Sequence, residues 1–253
     1  MMPSQGRNQA RPAHFGPLSV HYDRGRKGFP AETIDFIVGR VPSRNSIILD
    51  LGCGTGIATR QLSERGFDLI GCDIDSQMIG RAVGRHSRAI AYVVGSASTI
   101  PFRSRSFDCV TCFSCFQWFD TGPALDEIRR VLKPAGSIVI TRKNGSSDQR
   151  RDFRALLGRF VPGPLPDSRE QYDPAAALHL HMLPPTARHV VHATEQFPLP
   201  EAMSFFRSRS GWNLIDDSQR SAAEDALLAF CRERSADGVF VRDVAVETIV
   251  ATI

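Results

Sequence analysis

The 253-residue sequence has no apolar run long enough to span a bilayer. Its opening stretch, MMPSQGRNQARPAHFG, also has no apolar core of the signal-peptide type. The first absence excludes a membrane-spanning segment, and the second argues against export. We therefore expect a protein of the cytoplasm without a membrane partner.

A concentrated basic surface is missing as well. The formal net charge is +4 with a sequence pI of about 8.9, and the basic residues are scattered among acidic ones. No basic stripe with interleaved aromatic residues is present, which argues against a nucleic-acid partner. Internal repeats and long low-complexity tracts are absent too, so we expect one or two globular units.

The cysteine pattern lacks the features of a disulfide framework. Most of the cysteines lie inside apolar runs, which is typical of buried free thiols in a reducing compartment. The six are Cys53, Cys72, Cys109, Cys112, Cys115 and Cys231. On a strand, the C-x-x-C-x-x-C spacing sends the middle cysteine to the face opposite its neighbours, so we predict core packing for these thiols.

Four histidines lie close together in the sequence, but their spacing is not that of a metal site. No cysteine or H-x-x-x-H helix accompanies them, and we predict no metal ion. They are His179, His181, His189 and His192.

Between Pro30 and Arg142, short apolar runs alternate with helix-like segments, which is typical of βαβ units around a parallel sheet. The runs are nearly continuous, which indicates strands buried on both faces. The predicted strands are 46–51, 67–73, 91–95, 107–113 and 136–142, and the predicted helices begin at Pro30, Ile57, Ser76 and Pro123. The segment from Gly95 to Phe107 is too broken for a helix and is predicted to be a loop.

After Arg142 the sequence becomes rich in proline and turn residues around pieces of amphipathic helix, which predicts a cap or lid. Residues 189–197 and 243–253 alternate or run apolar like strands. These two segments could pair antiparallel and extend the sheet.

The stretch ILDLGCGTG ends an apolar strand with glycines at alternate positions: Gly52, Gly54 and Gly56. Such a turn lets the backbone pass close to a nucleotide-like ligand. The third glycine comes one residue too early for the dinucleotide pattern, which disfavours an NAD-dependent oxidoreductase. Asp50, beside the turn, favours an ammonium or sulfonium ligand, and Asp73, about 20 residues on, is placed to accept from ribose hydroxyls.

These residues resemble the first two motifs of the class I methyltransferases that use S-adenosylmethionine. The resemblance continues through GCDIDSQMI, SASTIPFRSRSFDCVTC and ALDEIRRVLKPAGSIVIT, over roughly Tyr22 to Arg142. It implies that the glycines and the intervening Cys53 wrap the methionine part, that Asp73 holds the ribose, and that Ile74 packs on the adenine. Ser96 stands where the family often has aspartate, so adenine recognition is expected through Ser96 and the Ala97 backbone.

The segment FSCFQWFD from Phe113 should line the substrate side, and we also assign Phe113 to the cofactor site. It resembles the HWFD-like signature of small-molecule methyltransferases such as the trans-aconitate methyltransferase group, with Gln117 in place of the common histidine. Gln117 and Trp118 are then candidate catalytic residues. Gln117 would be an orienting amide, and Trp118 would be an aromatic wall or, alternatively, an anchor for the next helix.

Two further segments resemble parts of this group that close over the site. HYDRGRKGFP is similar to its entrance segment, in which Tyr22 is a candidate catalytic residue and Arg26 a candidate substrate-binding residue, and the alternative is a solvated arm. FFRSRSGW is similar to a closing segment in which Arg207 would clamp an acidic substrate group, and the alternative is a surface arginine.

The resemblance implies a Rossmann-like, seven-stranded α/β fold, mainly parallel with an antiparallel last strand and a helical cap after the fifth strand. We divide the chain into an N-terminal arm (1–29), a cofactor-binding core (30–145) and a cap region with the final strand pair (146–253). We expect methyl transfer from S-adenosylmethionine to a small-molecule carboxylate, phenol or amine by a monomer or homodimer. The alternatives are a non-catalytic binding module and a methyltransferase acting on a macromolecule, although neither (D/N)-P-P-(Y/F) nor a Pro-Cys nucleophile occurs.

Overall fold

The computed structural model describes residues 15–85, 90–165 and 172–253. The first fourteen residues of the predicted N-terminal arm and residues 166–171 of the predicted cap lie outside the described residues. Among the described residues, no helix combines the length and apolar character needed to cross a membrane.

One mixed sheet forms the centre of the molecule, in the order β3-β2-β1-β4-β5-β8-β6, with the short β7 paired to β8. The strands β1 to β5 pair in parallel, whereas β8 is antiparallel to β5, β6 and β7. The bounds are β1 Ile47–Leu51, β2 Asp68–Asp73, β3 Ala91–Val94, β4 Phe107–Phe113, β5 Leu132–Gly145, β6 Ala187–Pro198, β7 Ser235–Ala236 and β8 Val239–Thr252. This confirms the predicted α/β sheet with its antiparallel edge.

Helices cover both faces of the parallel part, as the continuous apolar strands require. Their bounds are α1 Ser19–Gly25, α2 Ala31–Val38, α3 Ile57–Ser63, α4 Ser76–Val83, α5 Gly122–Val131, α6 Ser147–Leu157, α7 Pro174–Leu180, α8 Leu199–Arg207 and α9 Arg220–Glu233. The segment from Gly95 to Phe107 contains no helix, as predicted.

Two apolar clusters lie on opposite faces of the sheet, and β4 contributes to both. Cys112 belongs to the cluster with α5, whereas Cys109 belongs to the cluster with α2 and α3. The predicted alternation therefore holds for Cys109 and Cys112, but it is wrong for Cys115, which follows the end of β4 and packs against the same cluster as Cys112. All six cysteines lie in the described part of the chain as free thiols.

A further cluster, which we call the cap core, lies beyond the sheet. Its helices α8 and α9 follow β6 and join α6, which is the part of the cap that follows β5. Its buried members are Leu18, Phe153, Leu156, Leu157, Phe197, Ala202, Phe205, Phe206, Trp212, Ile215, Ala223, Leu227, Phe230, Cys231 and Phe240. Leu18 comes from the N-terminal arm, so the arm is part of this core.

The described part of the N-terminal arm, residues 15–29, lies between the sheet and the cap core. The Gln61 side chain on α3 accepts from the Phe29 N–H and donates to the Phe29 carbonyl, at 2.8 and 2.9 Å. Asp23 pairs with Arg85 at 2.7 Å. Gly25 lies so close to α8 that a Cβ there would be 2.1 Å from the Phe205 nitrogen. These contacts hold the described part of the arm across the carboxyl ends of β1 and β2.

Candidate functional site

The site forms where the strand order reverses. From β1 the chain continues to β2 on one side, while β4 lies on the other, which opens a crevice at the carboxyl ends of these strands. The glycine loop, residues 52–56, connects β1 to α3 at this point.

All three glycines of this loop have left-handed backbones, with φ of +71° at Gly52, +56° at Gly54 and +75° at Gly56. The surroundings leave no room for side chains either. A Cβ at Gly52 would lie 2.8 Å from the Cys115 sulfur, and one at Gly56 would lie 2.4 Å from the Tyr92 hydroxyl. The loop therefore requires glycine for both conformation and space.

Asp73 at the end of β2 braces the glycine loop. Its Oδ2 accepts from the Gly54 N–H at 2.8 Å and its Oδ1 from the Asp75 N–H at 2.9 Å. Burial raises the pKa of Asp73, and backbone N–H donors from Asp75, Gly54 and Ile74 oppose that rise. A carboxylate only accepts hydrogen bonds, which is what a ribose diol needs from its partner.

Asp50 lies beneath the loop, between Gly71 and Thr111 of the neighbouring strands. It is 0% exposed, and its oxygens accept from the Thr59 and Thr111 hydroxyls at 2.6 and 3.1 Å. Burial raises the pKa of Asp50 to about 6, with the two hydroxyl bonds acting in the opposite direction. The direct ligand contact expected from the sequence stays a prediction, since both oxygens have protein partners.

The residues expected around an adenine lie along the ends of β2 and β3. Ile74 is 62% exposed directly after Asp73, and Val94, the register partner of Asp73, is 51% exposed. The Ser96 and Ser98 hydroxyls are 3.0 Å apart, and Ala97 packs against the core cluster under this edge. An exposed apolar side chain next to a carboxylate fits an adenosine, so this edge agrees with the predicted cofactor.

The arm contributes an aromatic cover over the glycine loop. The Tyr22 ring reaches to 3.8 Å from the position of a Cβ at Gly54. Phe15 lies edge-on to both Tyr22 and Trp118, with ring centroids 6.2 and 5.8 Å apart. Trp118 is 38% exposed, and its role as a wall of the site stays a prediction. The structure brings Tyr22 and Trp118 together through Phe15, a residue that the sequence analysis missed.

Asp75, which was not among the predicted site residues, holds the arm at Gly16. The Asp75 carboxylate caps α4 by accepting from the Gln77 and Met78 N–H groups, and it accepts from the Gly16 N–H at 2.7 Å. An aspartate before a helical segment is a recognisable N-cap, but its contact with a residue 59 positions away has no local sequence signal.

The remaining predicted residues have mainly protein partners. The Gln117 amide donates to the Ser114 carbonyl at 3.0 Å. Phe113 is 8% exposed, and its ring lies 4.8 Å from Phe29, so it anchors the arm. Cys53 is buried behind the loop, and its pKa is raised well above the usual range by burial. Their predicted roles toward cofactor or substrate stay predictions.

The two arginines predicted for substrate binding have different surroundings. Arg26 donates to the Ser208 hydroxyl at 2.8 Å and lies over the rings of Tyr22 and Phe205. Arg207 instead forms a two-pronged ion pair with Glu224 across α8 and α9. The Glu224 carboxylate already accepts from the paired N–H groups of this guanidinium. The same pair of N–H groups is therefore not available to bind a substrate.

Metal ligation finds no support in the described residues, which contain no group of three or more histidine, cysteine or acidic residues arranged around a common point. The Cys115 thiol donates to the Leu51 carbonyl at 3.1 Å. His189 stacks on Phe36, with ring centroids 4.3 Å apart.

Comparisons with known proteins agree with this geometry. Residues 49–140 match the family described as methyltransferase domain. An uncharacterised methyltransferase of Mycobacterium bovis is 35% identical over 147 residues, which is 58% of each chain. A malonyl-[acyl-carrier protein] O-methyltransferase of Enterobacter lignolyticus is 29% identical over 212 residues, covering 80% of this chain and 78% of its own.

Among solved structures, a candidate type II methyltransferase from Anaeromyxobacter dehalogenans aligns with a TM-score of 0.65 at 20% identity, over 90% of this chain and 97% of its own. At that identity the likeness shows the fold alone. None of these three carries the trans-aconitate name, so that subgroup stays a prediction. Residues 49–140 are therefore similar to the methyltransferase-domain family, and the match to the mycobacterial relative spans 58% of that relative's length.

Proposed function

We propose that this protein transfers a methyl group from S-adenosylmethionine to a small-molecule acceptor. The observation that carries the proposal is the glycine loop braced by Asp73 and covered by the N-terminal arm. Bound S-adenosylmethionine supplies an electrophilic methyl group on a sulfonium, and methyl transfer is an in-line displacement. The protein's work is then to bind, to align and to exclude water.

Each of these tasks has residues suited to it. Asp73 and the glycine loop would bind the adenosyl and methionine parts. Tyr22 and Phe15 on the arm would close the crevice against water, and Trp118 would limit the approach of the acceptor. A rigid aromatic wall aligns an acceptor by excluding other approaches.

The groups beside the loop are poorly suited to removing a proton from the acceptor. Burial raises the pKa of the Tyr22 hydroxyl, and the pKa of the Cys115 thiol is raised well above its usual range for the same reason. Gln117 carries an amide, which does not exchange protons near neutral pH. An acceptor that is already an anion, such as a carboxylate, fits these groups best.

The similarity to a malonyl-[acyl-carrier protein] O-methyltransferase points in the same direction, since that relative's name specifies an oxygen acceptor. We extend only the oxygen chemistry to this chain. A carrier-protein substrate would need its own docking surface, and nothing in the described residues supports one.

Calorimetric titration of the purified protein with S-adenosylmethionine, S-adenosylhomocysteine and NAD tests the proposal. We expect micromolar binding of both adenosyl compounds and none of NAD. A screen for transfer of a labelled methyl group to small acids, phenols and amines would follow. Binding of NAD alone, or of none of the three, would overturn the proposal, and cofactor binding without transfer would favour a non-catalytic binding module.

A further inference from the structure

Three guanidinium groups converge on one buried ring next to the arm. The Cζ atoms of Arg242, Arg26 and Arg209 lie 4.5, 5.0 and 5.9 Å from the centroid of Phe205. They come from β8, from the arm and from the segment after α8, so three separate parts of the chain place them together. We call these three residues the arginine cluster.

Negative charge does not balance this cluster. Glu195 on β6 is 9% exposed and is shared by Arg242 at 2.8 Å and Lys143 at 2.7 Å. Arg26 has a serine hydroxyl as its partner. Among the described residues, the Glu195 carboxylate therefore faces four cations: Lys143, Arg242, Arg26 and Arg209.

Arg209 is the least compensated member. Within the described part of the chain no carboxylate lies at ion-pair distance from it, and its contact is with the face of Phe205. Burial and, to a smaller extent, the charges of Arg26, Arg242, Arg150 and Arg154 together lower the pKa of Arg209 to about 9. A charge that is largely removed from water without a partner is costly unless a ligand supplies the opposite charge.

The cluster adjoins the proposed cofactor site. The Arg26 guanidinium lies 5.1 Å from the centroid of the Tyr22 ring, and the same ring packs against the Gly54 position of the glycine loop. One aromatic ring therefore separates the arginine cluster from the loop. That separation suits an acceptor that is held at one end and methylated at the other.

We propose that the methyl acceptor carries an oxyanion, a carboxylate or a phosphate, that is bound between Arg209, Arg26 and Arg242. This inference rests on the proposed function and specifies the substrate class for the same site. Planar guanidinium forks bind both kinds of oxyanion through paired hydrogen bonds. Arg209 is the specificity residue, because it alone among the three has no hydrogen-bond partner in the described residues.

The test uses the full chain saturated with S-adenosylhomocysteine, with malonate and inorganic phosphate as separate probes. Thermal unfolding and calorimetry are run against potassium chloride at equal ionic strength. We expect one or both probes to bind and to raise the melting temperature, whereas chloride does not. The probe with the higher affinity identifies the oxyanion as carboxylate or phosphate.

The variants are Arg209→Met, Arg209→Lys and the control Arg151→Met, whose side chain is 71% exposed. Arg209→Met should weaken anion binding about tenfold or more, Arg209→Lys should retain part of it, and Arg151→Met should match the wild type. Without anion, Arg209→Met should melt at a higher temperature than the wild type, since an uncompensated charge is removed. A purely structural role predicts the opposite shift.

Three results would overturn the inference: neither probe binds more tightly than chloride, Arg209→Met binds the probes as the wild type does, or Arg209→Met melts lower and loses S-adenosylhomocysteine. Failure of the proposed function is distinguishable, because it appears as absent S-adenosylhomocysteine binding in the wild type. If S-adenosylhomocysteine binds and neither anion probe does, only the proposed oxyanion site is refuted.

Discussion

Asp50 and Asp73 end adjacent strands, yet their carboxylates have different surroundings. Asp50 is fully buried between two threonine hydroxyls, whereas Asp73 is partly exposed and accepts from the backbone N–H groups of Gly54 and Asp75. Hydroxyl partners also stabilise a neutral carboxyl, because a hydroxyl can donate or accept. The two residues should therefore respond differently to substitution.

Asp50→Asn should change how stability depends on pH. The pKa of Asp50 is about 6 in the folded protein and 3.8 without the fold, so the folded state binds this proton more tightly. The resulting stabilisation is fully present below the unfolded-state pKa of 3.8, and it is lost as the pH rises through the folded-state pKa of about 6. The wild type should gain about 1 kcal/mol relative to Asp50→Asn between pH 7.5 and pH 5. Urea unfolding of both proteins at several pH values measures this difference. If the free energy of unfolding changed with pH by the same amount in both proteins, the prediction would be wrong.

Asp73→Ala should lower the affinity for S-adenosylhomocysteine about tenfold to a hundredfold. The substitution removes the charged acceptor proposed for the ribose and also releases the Gly54 N–H from its partner. Calorimetry measures the change, with Asp68→Ala on the exposed start of the same strand as the matched control. Equal affinity in the two variants would show that the cofactor lies elsewhere.

The arginines of the FRSRS segment illustrate what a sequence leaves open. Arg207 and Arg209 both have the guanidinium that a substrate clamp needs, and the predicted clamp was Arg207. The structure pairs Arg207 with Glu224, which is 17 residues away on another helix, and leaves Arg209 without a carboxylate in the described part of the chain. The choice depends on how α8 packs on α9, which residue identity and spacing do not specify.

At the scale of elements, α1 depends on a glycine that has no special backbone angle. A Cβ at Gly25 would lie 2.1 Å from the Phe205 nitrogen and 2.4 Å from the Ser204 carbonyl carbon. These are backbone atoms of α8, so they cannot move aside as a flexible side chain would. The helices α1 and α8 can cross this closely because Gly25 has no side chain.

Gly25→Ala should therefore destabilise the protein by about 1–3 kcal/mol, since α1 must move away from α8. The matched control is Gly80→Ala on α4, where a Cβ meets nothing within 4 Å. That control should stabilise by about 0.5–1 kcal/mol, because alanine favours the helix. Chemical denaturation compares the two, and hydrogen exchange should show faster exchange across 19–25 only in Gly25→Ala. A stabilising Gly25→Ala would contradict the observed helix crossing.

Elements of the sheet were predictable because each carries a local signal. The apolar runs gave the parallel strands, and the glycine loop and the cap on α4 are recognisable in the sequence. The cap core was not predictable in the same way, since its members are dispersed from Leu18 to Phe240. Its phenylalanines lie on five different helices and strands, and no periodic pattern links them.

On the scale of the whole molecule, the arm connects two proposed sites. Tyr22 lies in the middle of α1, and Arg26, four positions later, is the C-cap of that helix. Tyr22 contacts the glycine loop, Arg26 belongs to the arginine cluster, and Leu18 before them is buried in the cap core. A ligand that orders the arm at either site reduces the ordering cost of binding at the other.

We therefore expect positive coupling between S-adenosylhomocysteine and the oxyanion probe that binds. Saturation with one should raise the affinity for the other several-fold, and linkage requires the same factor in both directions. Calorimetric titrations in both orders measure the factor. Gly25→Ala, which displaces the arm from α8, should reduce it toward one, whereas Gly80→Ala should preserve it. Mutual weakening of the two ligands would instead mean that the arginine cluster receives the cofactor's own carboxylate, so that the two sites overlap.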